Sequence, residues 1–409
     1  MLGRDVRFLK CVGRLAVMVC CGGVAFAGED DVAARLDALE VATRGNSGVS
    51  LKLSGQVNRV LMGWDDGARS DAYIADNIYS SSRVTLGGTG QAAPGLTAGF
   101  AIELELREVG TSTLTADNDE GSAEGGNNGF RTRLAHGWVE IEKLGRVSIG
   151  QLSPATNSLS YYNLWSIIVH TSPDVLYNTS FEVRGKGGAV SGLRWRDLAS
   201  GLDSPRGDFV QFASPKVAGF RAMADWGENA AADAALTFDG EFGPFALSAA
   251  AGWYRDDEAL PATDLRFSAL IRHQPTGLYA HGAYANRDYD QAGRDTAELI
   301  YGHAGLVAPI LPGGNTTVFA EAGLYRDIRA GASITAPAEL MPDGGVLAST
   351  ETLRLGAGVM QTYDASGLEV YAIVQHFEAE ARLIGQDGSS RTHRLEPWQG
   401  FIAGSRLKF

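Results

Sequence analysis

The sequence is poor in cysteine, has no excess of basic residues and, beyond its first residues, has no long hydrophobic run. Its three cysteines, Cys11, Cys20 and Cys21, all lie near the amino terminus, so the rest of the 409-residue chain cannot form a disulfide. A formal net charge of −13 argues against nucleic acid as a partner. After residue 27 no apolar stretch approaches the roughly 18 residues of a membrane-spanning helix. These absences exclude a disulfide-rich secreted domain and a helical membrane protein.

Residues 1–27 have the pattern of a secretory signal. Four basic residues come first: Arg4, Arg7, Lys10 and Arg14. An apolar run from Leu15 to Phe26 follows them, and residues 25–27 (Ala-Phe-Ala) have the small-x-small form of a signal-peptidase site. The pattern predicts that residues 1–27 are a cleaved signal peptide and that the chain is exported.

A short amphipathic segment, Glu29 to Arg44, lies within residues 28–47. Val32, Leu36 and Leu39 recur at helical spacing with charged residues between them. A helix of this length is marginal on its own. Two interpretations therefore stay open: a short periplasmic coiled coil formed by three copies beneath a trimer, or a linker.

Polar and apolar residues alternate in short segments throughout residues 48–409. Turn-forming residues bound each segment, and most segments have about the nine to eleven residues that a tilted strand needs to cross an outer membrane. Sixteen segments share this pattern: 50–63, 81–89, 96–107, 129–142, 146–152, 206–214, 219–227, 234–242, 245–256, 264–273, 278–288, 297–307, 316–327, 352–363, 368–380 and 397–409.

The connections between these segments alternate in length. Four of them are long: 109–128, 153–205, 328–351 and 381–396. The connections that alternate with them are short and mostly rich in Gly, Pro or Asp. Short turns at one end and long loops at the other are typical of outer-membrane barrels. The pattern predicts an all-β fold, a 16-stranded antiparallel transmembrane β-barrel; the alternative, a soluble β-sandwich or solenoid, does not require alternating loop lengths.

The last segment shows the two faces of such a strand. From Phe401 to Phe409 every second residue lies on one, mostly apolar side, while Arg406 and Lys408 lie on the other. An even number of strands returns both chain ends to the periplasmic side. We therefore expect this segment to be the sixteenth strand and to pair across the seam with the first strand, near Leu51 to Leu61.

Several motifs resemble a known family. They are GVSLKLSGQVNR at 48–59, WDDG at 64–67, SSSR at 80–83, FRTRLAHGW at 130–138, LGRVSIGQ at 144–151 and the terminal Phe409. In their order and spacing the chain is similar to the general porins of Gram-negative bacteria, particularly the alphaproteobacterial type. The resemblance implies a homotrimer in the outer membrane, with loop 153–205 folded inward to narrow the pore. The chain lacks the Pro-Glu-Phe-Gly-Gly-Asp signature of enterobacterial porins, and Gln151 replaces a pore-facing Arg found in many relatives.

The constriction of a diffusion channel requires opposed charges across a narrow aqueous passage. Asp174 and Glu182 are the acidic candidates, because they lie in the long loop. Arg83, Arg131 and Arg133 are the basic candidates, because alternation places them on the polar side of two nearby strands. The competing interpretation is that each is an exposed loop or rim charge.

The function predicted from these features is passive diffusion of small hydrophilic solutes and ions. One alternative is a solute-selective channel, in which Tyr161, Tyr162 and Trp165 stack on a sugar; another is a structural or adhesin barrel with a plugged lumen. Outer-membrane lipid and lipopolysaccharide are the expected partners besides the trimer mates. We expect no enzyme activity and no cofactor, because no catalytic constellation such as Gly-x-Ser-x-Gly accompanies the histidines. We expect no metal site, because the acidic run at 117–120 does not match a calcium loop and the histidines lack metal-ligand spacing.

Overall fold

The computed structural model describes residues 48–119, 129–228, 231–257 and 261–409. The chain divides into two units, residues 1–51 and 52–409. The predicted signal peptide and the amphipathic segment at 29–44 lie outside the described residues. Among the described residues, no helix is long and apolar enough to cross a membrane.

Nearly all of the regular structure consists of strands. In chain order they are β1 Val49–Asp65, β2 Ser70–Asp76, β3 Arg83–Ala93, β4 Leu96–Arg107, β5 Gly129–Ile141, β6 Gly145–Leu152, β7 Glu182–Arg184, β8 Val190–Arg194, β9 Gly207–Ala213, β10 Phe220–Gly227, β11 Ala232–Phe242, β12 Phe245–Asp256, β13 Ala262–His273, β14 Leu278–Tyr289, β15 Ala297–Ala308, β16 Thr316–Arg326, β17 Gly345–Tyr363, β18 Leu368–Gly385, β19 Ser390–Arg394 and β20 Trp398–Lys408. The one α-helix in the described part of the chain is Trp195–Leu198.

Sixteen of these strands form one closed antiparallel barrel, which confirms the predicted fold. Each barrel strand pairs with the strand that follows it in the wall, and β20 returns to pair with β1. At this seam Gln56 lies opposite Lys408 and Asp65 lies opposite Gln399, as expected for the first and last strands. The other four strands are accessory: β2 pairs with the end of β1, β19 pairs with the end of β18, and β7 and β8 pair with each other.

All sixteen predicted segments correspond to barrel strands, but two predicted long loops are shorter than expected. Strand β17 already begins at Gly345, inside predicted loop 328–351, and β18 continues to Gly385, inside predicted loop 381–396. In these extensions Glu351 pairs with Glu380, and β19 adds a further strand to β18. These extensions of β17 and β18 were not predicted, because their outward-facing positions carry charged residues instead of the apolar residues that face lipid.

The two faces of the wall have opposite character, as the period-two pattern predicts. On the outer face Val318, Val359 and Val374 of three neighbouring strands are 42–46% exposed. On the inner face Glu321 and Arg354 are buried. The buried core therefore lies inside the barrel, and the long loop between β6 and β9, residues 153–206, supplies much of it.

Candidate pore constriction

A buried ion pair fixes the middle of the long loop to the inner wall. Arg354 of β17 and Glu321 of β16 are in contact at 2.6 Å, and both side chains have no exposed surface. The same guanidinium donates hydrogen bonds to the carbonyl oxygens of Ser172 (2.7 Å) and Asp174 (2.9 Å). Glu321 in turn accepts a hydrogen bond from the Thr171 hydroxyl at 2.7 Å. Residues 171–174 are thereby fastened to strands β16 and β17.

A second set of polar contacts holds the segment just before this point. Buried His170 lies with its Nε2 3.1 Å from Glu369 of β18, and its ring stacks on Tyr371 at 3.6 Å between centroids. Arg406 and Lys408 of β20 also contact Glu369, at 2.6 and 2.7 Å. Burial lowers the pKa of His170 to about 4, so the imidazole is neutral at pH 7 and donates to the glutamate.

The two ends of the loop are held in the same way by side chains of the wall. At its start, Thr156 donates from both its backbone N–H (3.0 Å) and its hydroxyl (2.8 Å) to Asp233 of β11. Near its end, Arg266 of β13 donates to the Leu202 carbonyl oxygen at 2.7 Å and pairs with Asp264 at 2.5 Å. These anchors leave little freedom at either end of the loop.

Between the anchors the loop buries aromatic rings against one side of the barrel. Phe181 packs on Trp64 and Trp398, with centroid distances of 4.9 and 5.9 Å. Trp195 packs on Phe377 at 5.5 Å. All five rings are buried. Because aromatic side chains supply large apolar contact areas, this cluster fills one side of the lumen with protein.

The opposite side of the loop faces a cavity of about 390 Å³. Its walls come from the loop, from strands β4, β5 and β6, and from the connection between β2 and β3. Sixteen residues line it: Ile78, Tyr79, Glu105, Arg107, Arg131, Thr132, Arg133, Gln151, Asn157, Tyr161, Trp165, Asp174, Leu176, Asp203, Pro205 and Arg206. Four arginines and three carboxylates contribute to this lining. The cavity is therefore a charged space between the docked loop and the nearest part of the wall.

Four arginines of β3, β4 and β5, which we call the arginine wall, share two glutamates. Its members are Arg83, Arg107, Arg131 and Arg133. Glu103 contacts Arg133 at 2.7 Å and Arg83 at 3.7 Å. Glu105 contacts Arg107 at 2.9 Å and Arg131 at 3.2 Å. Antiparallel pairing places Glu105 opposite Arg131, so these charges lie on the same inner face. Because four arginines share two glutamates, the wall has an excess of positive charge.

Two aspartates of the loop face the same cavity. Both oxygens of Asp203 are occupied within the loop, Oδ1 by the backbone N–H of Ser158 (2.8 Å) and Oδ2 by the Tyr161 hydroxyl (3.0 Å). Burial, together with the neighbouring Asp203 carboxylate, raises the pKa of Asp174 to about 7. Burial raises the pKa of Asp203 as well, although Arg266 opposes that change. The loop side of the cavity therefore carries less than two full negative charges at pH 7.

The five predicted constriction residues do not all lie at this cavity. Asp174, Arg131 and Arg133 line it. Arg83 is not part of the lining, but it contacts Glu103, which also contacts Arg133. Glu182 is in β7, opposite Arg194 in the short hairpin of the loop, and is not part of the lining. No local pattern around Glu182 indicated that it belongs to a hairpin packed against the filled side of the lumen.

The sequence-based prediction missed several charged residues of the site. Glu103, Glu105 and Arg107 occupy alternate positions along β4 and so share one face. Had the pairing of Glu105 with Arg131 been known, this alternation would have placed all three residues at the site. Arg206, just before β9, also lines the cavity. Of the loop aromatics, Tyr161 and Trp165 line the cavity, whereas Tyr162 donates to Asp239 of β11 at 3.0 Å. Within the described residues, no group of three His, Cys, Asp or Glu is arranged to hold a metal ion.

A closed barrel with an apolar outer face and a charged internal cavity defines an outer-membrane channel. A family model described as Gram-negative porin matches residues 15–382. The chain belongs to that family and forms an outer-membrane porin channel. Comparison with the curated proteins gives no match.

Solved structures support the same fold. The anion-selective porin from Comamonas acidovorans superposes with a TM-score of 0.57 at 17% identity, covering 88% of this chain and 100% of the other. OmpT, an outer membrane protein of Vibrio cholerae, gives 0.54 at 13% identity and covers 90% and 99%. OmpF of Salmonella typhi, in complex with daunomycin, gives 0.51 at 13% identity and covers 89% and 99%. At these identities the similarity concerns the fold.

Proposed function

We propose that this porin is a general diffusion channel that passes small hydrophilic solutes and ions through a water-filled pore. The observation that carries the proposal is the position of the long loop. It is docked on one side of the lumen by Arg354 and Glu321, and the charged cavity lies on its other side. A pore narrowed in this way selects by size and by the field between its walls.

In this proposal the constriction lies between the loop and the arginine wall. Asp174 faces it from the loop, and Arg131 and Arg133 face it from β5. Arg83 supports the wall through Glu103. Glu182 remains a sequence-based prediction with no contact to this cavity that supports it. Charges opposed across a narrow passage polarise the water there and disfavour apolar solutes.

The proposal includes export by a cleaved signal peptide at residues 1–27, a periplasmic segment at 28–47, and a homotrimer in contact with outer-membrane lipid and lipopolysaccharide. The trimer is supported by a solved structure of Vibrio cholerae OmpT described as a trimer form, which gives a TM-score of 0.54 at 16% identity over 88% of this chain. Membership of the porin family supports a channel without a catalytic role.

Liposome swelling tests this function. Vesicles containing the purified protein should swell at rates that fall steeply as the size of a neutral sugar or polyol increases, because passage is limited by a constriction. Vesicles prepared without protein provide the baseline. Rates that do not depend on solute size, or rates equal to the baseline, would contradict the proposal.

A second candidate is a channel with a lumenal solute site. The aromatic pair Tyr161 and Trp165, with ring centroids 4.6 Å apart at the cavity, favours it. Saturation of transport by one solute class distinguishes this candidate from a general pore, in which flux rises in proportion to concentration.

A further inference from the structure

Part of the lining of the constriction cavity is apolar and aromatic. Six residues form this part: Ile78, Tyr79, Tyr161, Trp165, Leu176 and Pro205. All lie outside the barrel strands, and three of them carry rings. The Trp165 ring is partly exposed and lies at 30° to that of Tyr161. A cavity built only to pass polar solutes has no need of such a surface.

Guanidinium groups form another part of the same lining. Arg131 is about half exposed, and Arg107, Arg133 and Arg206 also line the cavity. A guanidinium presents its N–H donors in a planar fork that fits a carboxylate. Arginines outnumber the carboxylates of the lining, and both oxygens of Asp203 are already occupied within the loop. Arg107 and Arg133 are also engaged, by Glu105 and Glu103, so Arg206 and half-exposed Arg131 are the cations of the lining that we expect a solute to meet.

We propose that this cavity binds small aromatic carboxylates, with the ring against Trp165 and the carboxylate at Arg131 and Arg206. The proposal rests on the channel function above and adds a preferred solute class to it. A neutral sugar would use the rings but not the arginines, and an inorganic anion would use the arginines but not the rings. A volume of about 390 Å³ lies in the range of cavities that hold small organic ligands.

Blockade of ion current in planar bilayers tests the proposal with three probes: benzoate, acetate and benzyl alcohol. Benzoate should interrupt the current at a half-blocking concentration about tenfold below that of acetate, since ring stacking adds to the charged contact. Benzyl alcohol, which has the ring without the charge, should not block in the same range. Equal blockade by benzoate and acetate, or by benzoate and benzyl alcohol, would overturn the proposal.

Variants separate the two contacts. Trp165→Leu should raise the half-blocking concentration of benzoate about fivefold and leave that of acetate unchanged. Arg131→Gln should raise both about tenfold. The matched controls are Phe130→Leu, which removes an exposed ring from the outer face of the same strand, and Arg146→Gln, which removes an inner-face arginine that pairs with Glu140 away from the cavity. Neither control should change benzoate blockade by more than about twofold.

The test also separates this proposal from the channel function. If the protein conducts salt but shows no preference for benzoate, the solute class is wrong and the channel function stands. If it does not conduct at all, the channel function itself fails. Should Trp165→Leu not assemble, the comparison of the three probes on the unaltered protein still decides the matter.

Discussion

Replacing Arg354 by methionine should detach the middle of the long loop from the barrel wall. This guanidinium is the shared donor to Ser172, Asp174 and Glu321, and it has no exposed surface. Methionine approximates the length of the side chain but cannot donate a hydrogen bond. The barrel itself should still close, because the β16–β17 pairing runs through backbone groups.

The size of the effect follows from what is left behind. Glu321 would keep the hydroxyls of Thr171 and Tyr301 as donors but would lose its buried cation. Removing one partner of a buried ion pair costs about 3–5 kcal/mol. Replacing both partners, as in Arg354→Met with Glu321→Leu, removes the stranded charge, so the double variant should be less destabilised than the single one.

Urea unfolding in lipid vesicles measures the stability change, and single-channel recording measures the pore. The Arg354→Met channel should be destabilised by about 3–5 kcal/mol and should show higher conductance with more current noise. The matched control is Arg326→Met on the same strand pair, where the ion pair with Glu351 is exposed and worth at most about 1 kcal/mol. If the Arg354 and Arg326 variants behave alike, the loop is not held by the buried pair.

Three further predictions concern charge and closure. Because the pKa of Asp174 is raised to about 7, its carboxyl is protonated at pH 5 and ionised at pH 9. Ionisation adds a negative charge at the cavity, so anion preference, measured as the reversal potential in a salt gradient, should fall as the pH rises through 7. In Asp174→Asn the reversal potential should depend much less on pH. The control is Asp197→Asn, which should keep the pH dependence of the unaltered protein, because Asp197 pairs with Arg329 and does not line the cavity. An unchanged pH dependence in Asp174→Asn would contradict the assignment. Deleting Phe409 removes two backbone hydrogen bonds to Gly55, of 2.9 and 3.0 Å. The yield of assembled trimer should therefore fall several-fold, while the conductance of the channels that do assemble stays the same. The control is Phe245→Ala, which removes an exposed ring at another strand end, and a normal yield from the shortened chain would refute this role. Gly55→Leu should impair closure similarly, because even a Cβ there would lie 2.5 Å from the Phe409 ring; assembly at the normal yield would show that the seam can adjust.

The barrel could be predicted from the sequence because each membrane strand alternates apolar residues that face lipid with polar residues that face the lumen. The terminal strand is the clearest example: its alternation from Phe401 to Phe409 predicted its two faces, and the even number of strands predicted its pairing with β1. The prediction failed where strands leave the membrane zone. There, as in the extension of β18 to Gly385, the alternation continues but its polarity is reversed, because the outer residues are charged and the inner residues are apolar.

The site could be predicted only in part. Arg131 and Arg133 lie at the cavity because strand alternation fixes the side on which they project. Loop residues have no such periodicity, so the positions of Asp174 and Glu182 depended on pairings that strand alternation does not reveal. Asp174 is placed by Arg354, 180 residues further along the chain, whereas Glu182 is drawn into the hairpin of β7 and β8. Such pairings leave no local pattern in the sequence.

Stepwise conductance in planar bilayers tests most directly whether this chain forms open, trimeric pores. Insertion of purified protein should raise the current in events that close in three equal sub-steps, one for each pore of a homotrimer. The reversal potential in a salt gradient should indicate anion preference, because arginines outnumber carboxylates at the cavity. Absence of conductance, or closure in single steps only, would contradict a trimeric channel with an open constriction.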